Sequence, residues 1–122
     1  MEIVSFEIAK KLKEKGFDEV CYNYYEPLKH CLNQIKTPWT NKDGESYGVI
    51  TAPTLSQVLK WLREEKRIYV GAEWVNKKGK WVGYVDEMNM PDLVGEYIFP
   101  NTYDSFELAA IAGIKYCLDN LI

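Results

Sequence analysis

No run in this 122-residue chain approaches the roughly 18 uncharged apolar positions a membrane-spanning helix needs. The opening Met1-Glu2-Ile3-Val4-Ser5 also lacks the basic-then-apolar order of an export leader. No membrane association is expected, and the cytoplasm is the default compartment. Cysteine is scarce: Cys21, Cys31 and Cys117 are odd in number and match no familiar metal spacing. His30 is the only histidine. Zinc wants about four nitrogen or sulfur donors in a tetrahedron, and neighbours such as His30 and Cys31 point to opposite faces if they lie on a strand. The same divergence keeps His30 from activating the Cys31 thiol, so neither a metal site nor a cysteine nucleophile is expected. A glycine-rich phosphate loop is missing too, since Gly71 and Gly83 fall inside predicted strands. No cofactor is expected. Linker, internal repeat and low-complexity tract are all wanting, which makes residues 1–122 a single domain, long enough to bury a core without staples. A net charge of -3 disfavours a protein whose main work is electrostatic binding of nucleic acid or anionic lipid.

What is present is a strong set of local signals. Ser5 is placed to cap a helix over Phe6 to Lys15, with Ile8 and Leu12 on its buried side and Gly16 ending it, so that Phe17 folds back on Leu12. Val20 to Tyr25 is aromatic and β-branched and reads as a strand stopped by Glu26-Pro27. Leu28 to Ile35 fits either a helix or a hairpin partner, and the strand is preferred. Thr37 to Gly48, with Pro38, Asn41, Asp43 and two glycines, reads as a surface loop. Thr54 and Gln57 have the spacing of a capping box, and Leu55, Val58, Leu59 and Leu62 form one apolar stripe behind it, with Trp61 at its margin.

Ile68 to Val75 and Trp81 to Met88 alternate as a hairpin around Asn76-Lys77-Lys78-Gly79. A three-residue turn would pair Asn76 with Lys80, Trp74 with Val82, Ala72 with Tyr84, Ile68 with Met88 and Val70 with Asp86. Asn89 to Asp92 is a loop, Val94 to Phe99 the third strand of a meander, and Pro100-Asn101 its end. Thr102 is the expected cap of a last helix with Asp104 in its first turn and Phe106, Ala110, Ile114, Cys117 and Leu121 buried. Ala109, Ala110, Ala112 and Gly113 make that helix slim, which predicts a close approach by sheet, helix or a second subunit. The order α-β-β-α-β-β-β-α gives an α+β fold, a two-layer sandwich with an antiparallel sheet, hairpin plus three-strand meander, against about three helices.

Gly16-Phe17-Asp18-Glu19, Ala52-Pro53-Thr54-Leu55-Ser56-Gln57, Lys60-Trp61-Leu62-Arg63-Glu64 and Thr102-Tyr103 before an alanine-rich helix resemble uncharacterised small proteins of gut-bacterial phages and integrated mobile elements. The resemblance covers most of the chain, is most specific over residues 52–64 and weakest over 28–47. It implies a phage or mobile-element setting and a compact fold, with no catalytic residue, substrate or cofactor to transfer.

Two surfaces stand out. The chain holds four Trp, nine Tyr and four Phe, more than one small core readily encloses. Tyr22, Tyr24, Trp39, Trp61, Tyr69 and Trp81 are the candidates for an amphipathic surface that meets a protein partner or a second copy, a homodimer through the sheet face or the slim last helix. Lys10, Lys11 and Lys13 on the first helix and Lys77, Lys78 and Lys80 at the hairpin tip are the candidate basic patch of a small nucleic-acid-binding protein. Glu7 and Glu14 offset the first cluster. An enzyme would need at least two of Asp86, Glu87, Asp92 and Glu96 to converge in a pocket. A non-enzymatic interaction protein is the reading preferred.

Overall fold

A computed structural model describes residues 2–28, 30–88 and 96–122. The chain is α+β, with antiparallel pairing throughout its described strands. It divides into two compact units, Met1–Gln57 and Val58–Ile122.

In the first unit, α1 spans Phe6–Glu14, and the Ser5 hydroxyl accepts from the Ile8 amide at 3.3 Å, as the cap spacing requires. Gly16 has φ of 88°, a left-handed conformation that costs glycine nothing. Phe17 then donates its amide to Leu12 (2.9 Å) and is fully buried, as expected of this helix stop. Three strands follow in the spatial order β2-β1-β3: β1 Cys21–Glu26, β2 Cys31–Trp39 and β3 Ile50–Thr51. Leu28 to Ile35 therefore turns and enters a strand. Glu26 pairs with Cys31, with Pro27 and Leu28 in turn conformation after the first strand and His30 at φ of 53° before the second.

The expected loop over Thr37 to Gly48 is ordered structure instead. Strand β2 continues through Pro38 to Trp39, and Thr40 opens a helical turn, α2, at Asn41–Gly44. Thr40 and Asp43 exchange hydrogen bonds (3.0 and 3.1 Å) in a capping box, and a 3₁₀ turn over Glu45–Tyr47 follows. The side chain of Asn41, buried, anchors the whole segment: its Nδ2 donates to the Phe17 carbonyl at 2.7 Å and its Oδ1 accepts from the Thr51 amide at 2.9 Å. Turn-forming residues thus build a turn here, but one held from both sides by the core.

Helix α3, Leu55–Glu65, starts at the Thr54/Gln57 capping box, whose two bonds are made at 3.0 and 3.1 Å. The division between the units falls within it. Leu55, Val58 and Leu62 are buried as expected, while Leu59 is half-buried and Trp61, placed at the margin from sequence, is only 5% exposed.

The second unit is the meander β4 Ile68–Val75, β5 Lys80–Glu87 and β6 Glu96–Tyr103, in that spatial order, with α4 Phe106–Asn120 lying on all three strands. Hairpin and meander thus belong to separate three-stranded sheets. The β4–β5 register differs from expectation by one residue. The Val75 carbonyl accepts from both Lys78 (3.1 Å) and Gly79 (2.9 Å), so the turn holds four residues and Val75 pairs with Lys80. Trp74 then faces Trp81, Ala72 faces Gly83, Val70 faces Val85 and Ile68 faces Glu87. A slip of one residue turns every β5 side chain over. Gly83 and Val85 look toward α4, and Asp86, opposite Tyr69 rather than Val70, is exposed.

Residues 89–95, including the expected Asn89–Asp92 loop and the start of the Val94–Phe99 strand, lie outside the described residues. Strand β6 does not stop at Pro100-Asn101. It runs to Tyr103 across a register irregularity opposite Val82 to Tyr84, and β6 is an edge strand, where a residue without a ladder donor is tolerated. With Thr102 still paired to Val82, the cap of α4 moves to Ser105, whose hydroxyl accepts from Leu108 at 3.1 Å. The close approach predicted at the slim helix is made by the sheet. A Cβ on Gly113 would come within 2.5 Å of Val70 Cγ1, and one on Gly83 within 2.8 Å of the Ala109 carbonyl oxygen.

Candidate functional site: an aromatic cleft

Alternation along β1 sends Tyr25 inward, where its hydroxyl donates to the Val4 carbonyl at 2.6 Å, and leaves Tyr24 and Glu26 together on the other face. Trp39, the last residue of β2, reaches the same place and lies 5.5 Å from Tyr24 between ring centroids. Tyr47, delivered by the 3₁₀ turn, stacks on Trp39 with centroids 5.1 Å apart and planes within 4°. Its ring is accordingly held although the residue is 69% exposed. Gly48, at φ of 67°, ends that turn and brings the chain back to Val49.

These residues, with Pro27 and Leu28 of the β1–β2 turn, line a cleft of about 560 Å³. Leu28 stands at its rim 99% exposed, an apolar side chain with no burial of its own. Glu26 is the one charged group among the described lining residues, and its Oε1 accepts from Asn33 Nδ2 at 3.3 Å, which steadies the carboxylate. Of the residues proposed from sequence, Tyr24 and Trp39 are brought together here. Tyr22, 58% exposed, lies on the same strand outside this lining.

The remaining aromatic candidates are in the second unit. Trp61 does not belong to a surface: it is buried, with the Lys66 ammonium 5.3 Å from its ring centroid. Tyr69 is exposed, and the register shift puts Tyr84 and Ile98 with it on the sheet face away from α4. Tyr69 and Tyr84 close over Gly71, where a Cβ would meet the Tyr84 ring at 2.6 Å. Trp81 is half-buried, packed edge-on between Trp74 and Phe106 at 5.6 Å from each.

The lysine clusters are less uniform than the sequence implied. Lys10 and Lys11 line a groove that Glu7 and Glu14 also line, so both signs alternate there, while Lys13 is half-buried. Lys77 and Lys78 are exposed at the hairpin tip, but Lys80 is ion-paired with Asp104.

The cysteine and histidine candidates stay apart. Cys21 pairs with Trp39 at one end of the β1–β2 hairpin and Cys31 with Glu26 at the other, and His30 stacks on Phe6 at 3.8 Å. Burial pushes the Cys21 thiol up to about 11 and the Cys117 thiol up to about 12, away from reactivity. Among the described residues no group of three or more His, Cys, Asp or Glu is placed to hold a metal. Asp86, exposed, pairs with Glu96 across the β5–β6 ladder, Glu87 beside it points to the opposite face, and Asp92 lies outside the described residues. No described helix is long and apolar enough to cross a membrane.

No family model, curated protein or solved structure matches the chain. The cleft therefore has to be read from its own chemistry.

Proposed function

We propose that the protein is a non-catalytic binding module that engages a protein partner through the aromatic cleft of its first unit, in the phage or mobile-element setting its sequence resembles. The observation that carries this is the row Tyr24–Trp39–Tyr47 beside a wholly exposed Leu28. Rigid aromatic side chains offer contact area at little cost in rotamer entropy, and an apolar residue at the rim gains only when a partner covers it. The described lining residues supply no nucleophile and base pair to carry a reaction. A second copy is the alternative occupant of a different surface, favoured by the exposed Tyr69 and Ile98 on either side of the half-buried Tyr84.

The test is affinity capture from the natural host with wild type, Trp39→Ala and Tyr69→Ala side by side, in nuclease-treated and untreated arms, together with mass by light scattering. A nuclease-resistant protein retained by wild type and Tyr69→Ala but weakened by about 30-fold in Trp39→Ala supports the cleft. A dimer abolished by Tyr69→Ala would support the sheet face instead. Recovery of nuclease-sensitive material alone would overturn both.

A further inference from the structure

We infer that the group this cleft receives is a guanidinium, the side chain of an arginine presented by the partner. The inference rests on the protein-binding reading of the same cleft and adds the chemistry of what enters it. Trp39 and Tyr47 are parallel at 5.1 Å, too close for a ring to slip between them, so a ligand lies across their outer faces. Those faces are the negative side of each ring's quadrupole and attract a cation. The charge at the cleft has the same preference, since Glu26 is the one formal charge among the described lining residues and Asn33 holds it in place.

The alternatives fit less well. A phosphate group would meet a carboxylate and no described cation in the lining. A purely apolar side chain would strip water from Glu26 without replacing it, which a carboxylate resists. A sugar needs many in-plane donors and acceptors, and the lining is dominated by Tyr, Trp, Pro, Leu and Val. Between the two cationic side chains, arginine is planar, stacks flat on aromatic faces and meets a carboxylate through paired N–H donors. Lysine is a strongly hydrated point charge.

The experiment is a chemical-shift titration of the whole chain with acetyl-Gly-Arg-Gly-amide, beside the same tripeptide carrying citrulline, which is neutral and nearly isosteric, or lysine. The Trp39 indole signal is assigned with Trp39→Phe. We expect saturable shifts at Trp39, Tyr24 and Tyr47 with a dissociation constant on the order of 1–10 mM. Citrulline should bind at least about fivefold more weakly, and Glu26→Gln should reduce the arginine response by a similar factor. Equal shifts from citrulline or from lysine, or no saturable shift at these rings, would overturn the guanidinium. The two readings separate in the capture assay. A partner lost in Trp39→Ala yet unaffected by Glu26→Gln and by excess arginine tripeptide defeats this inference and leaves the binding module standing. Capture indifferent to Trp39→Ala defeats both.

Discussion

Replacing Gly113 by alanine sets two effects of opposite sign against each other. Inside a helix the change is worth about 1 kcal/mol in alanine's favour. At this position the new methyl would lie 2.5 Å from Val70 Cγ1, with Phe99 at 3.5 Å and Val85 at 3.6 Å around it. Carbon atoms prefer about 3.5–4.0 Å, so Val70 would have to give about 1 Å. Valine is stiff at χ1, and this one is buried in β4. Overpacking of this kind costs roughly 1–3 kcal/mol, and we expect Gly113→Ala to lose about 1 kcal/mol net. Val70→Ala alone should cost about 2 kcal/mol in lost burial and cavity. In the double variant the added methyl enters the space the valine leaves, so its loss should fall short of the sum of the single losses by at least about 1 kcal/mol. Urea denaturation followed by circular dichroism measures all three. A Gly113→Ala protein stabilised by the helix-propensity amount, with strictly additive energies in the cycle, would refute the close contact between α4 and the sheet.

Asn41→Ala should be the most damaging single change near the cleft, because it removes the buried bonds to the Phe17 carbonyl and the Thr51 amide in one step, at about 1–3 kcal/mol. It should shift the denaturation midpoint and the Trp39 indole resonance in one variant. A neutral thiol reagent should modify one cysteine quickly, Cys31, which is exposed, and reach Cys21 and Cys117 only on unfolding; peptide mapping identifies the sites. Those two buried thiols also set an alkaline limit. Their folded values, about 11 and about 12, lie above the ordinary 9.0, so the unfolded chain releases these protons first. Their contribution to stability is whole below pH 9 and lost as pH rises toward 11–12, by up to about 1.4 kcal/mol per pH unit for each, and denaturation midpoints across that window check it.

How much of this was legible in the residues depends on how local each signal is. Ser5 and Gly16-Phe17 bound α1, and Thr54/Gln57 opens α3, because caps are satisfied by groups within a few residues. The slimness of α4 correctly anticipated a close neighbour, which proves to be the sheet. The β4–β5 register was not decidable in the same way. Asn76-Lys77-Lys78-Gly79 serves a three- or a four-residue turn, and that one residue decides whether Asp86 or Val85 faces the helix. Thr40 and Asp43 carried a capping-box spacing of their own, masked by the proline, asparagine and glycines around them. Tyr24 and Trp39 could be singled out by type, and Trp61 equally, since exposure is a property of packing and not of composition. Tyr47 and Leu28 were missed because the cleft is assembled from a strand, a hairpin turn and a 3₁₀ turn, brought together by the β1–β2 ladder and by long-range bonds such as those of Asn41 to Phe17 and Thr51.

If the partner sits in the cleft beside Leu28, site-specific photo-cross-linking will capture it there. A benzophenone side chain at position 28 would be compared with one at Leu108, an exposed apolar residue of α4, each with and without Trp39→Ala. A discrete adduct should form from position 28, disappear with Trp39→Ala and be absent from position 108. Equal adducts from both positions, or an adduct from position 28 indifferent to Trp39, would contradict it.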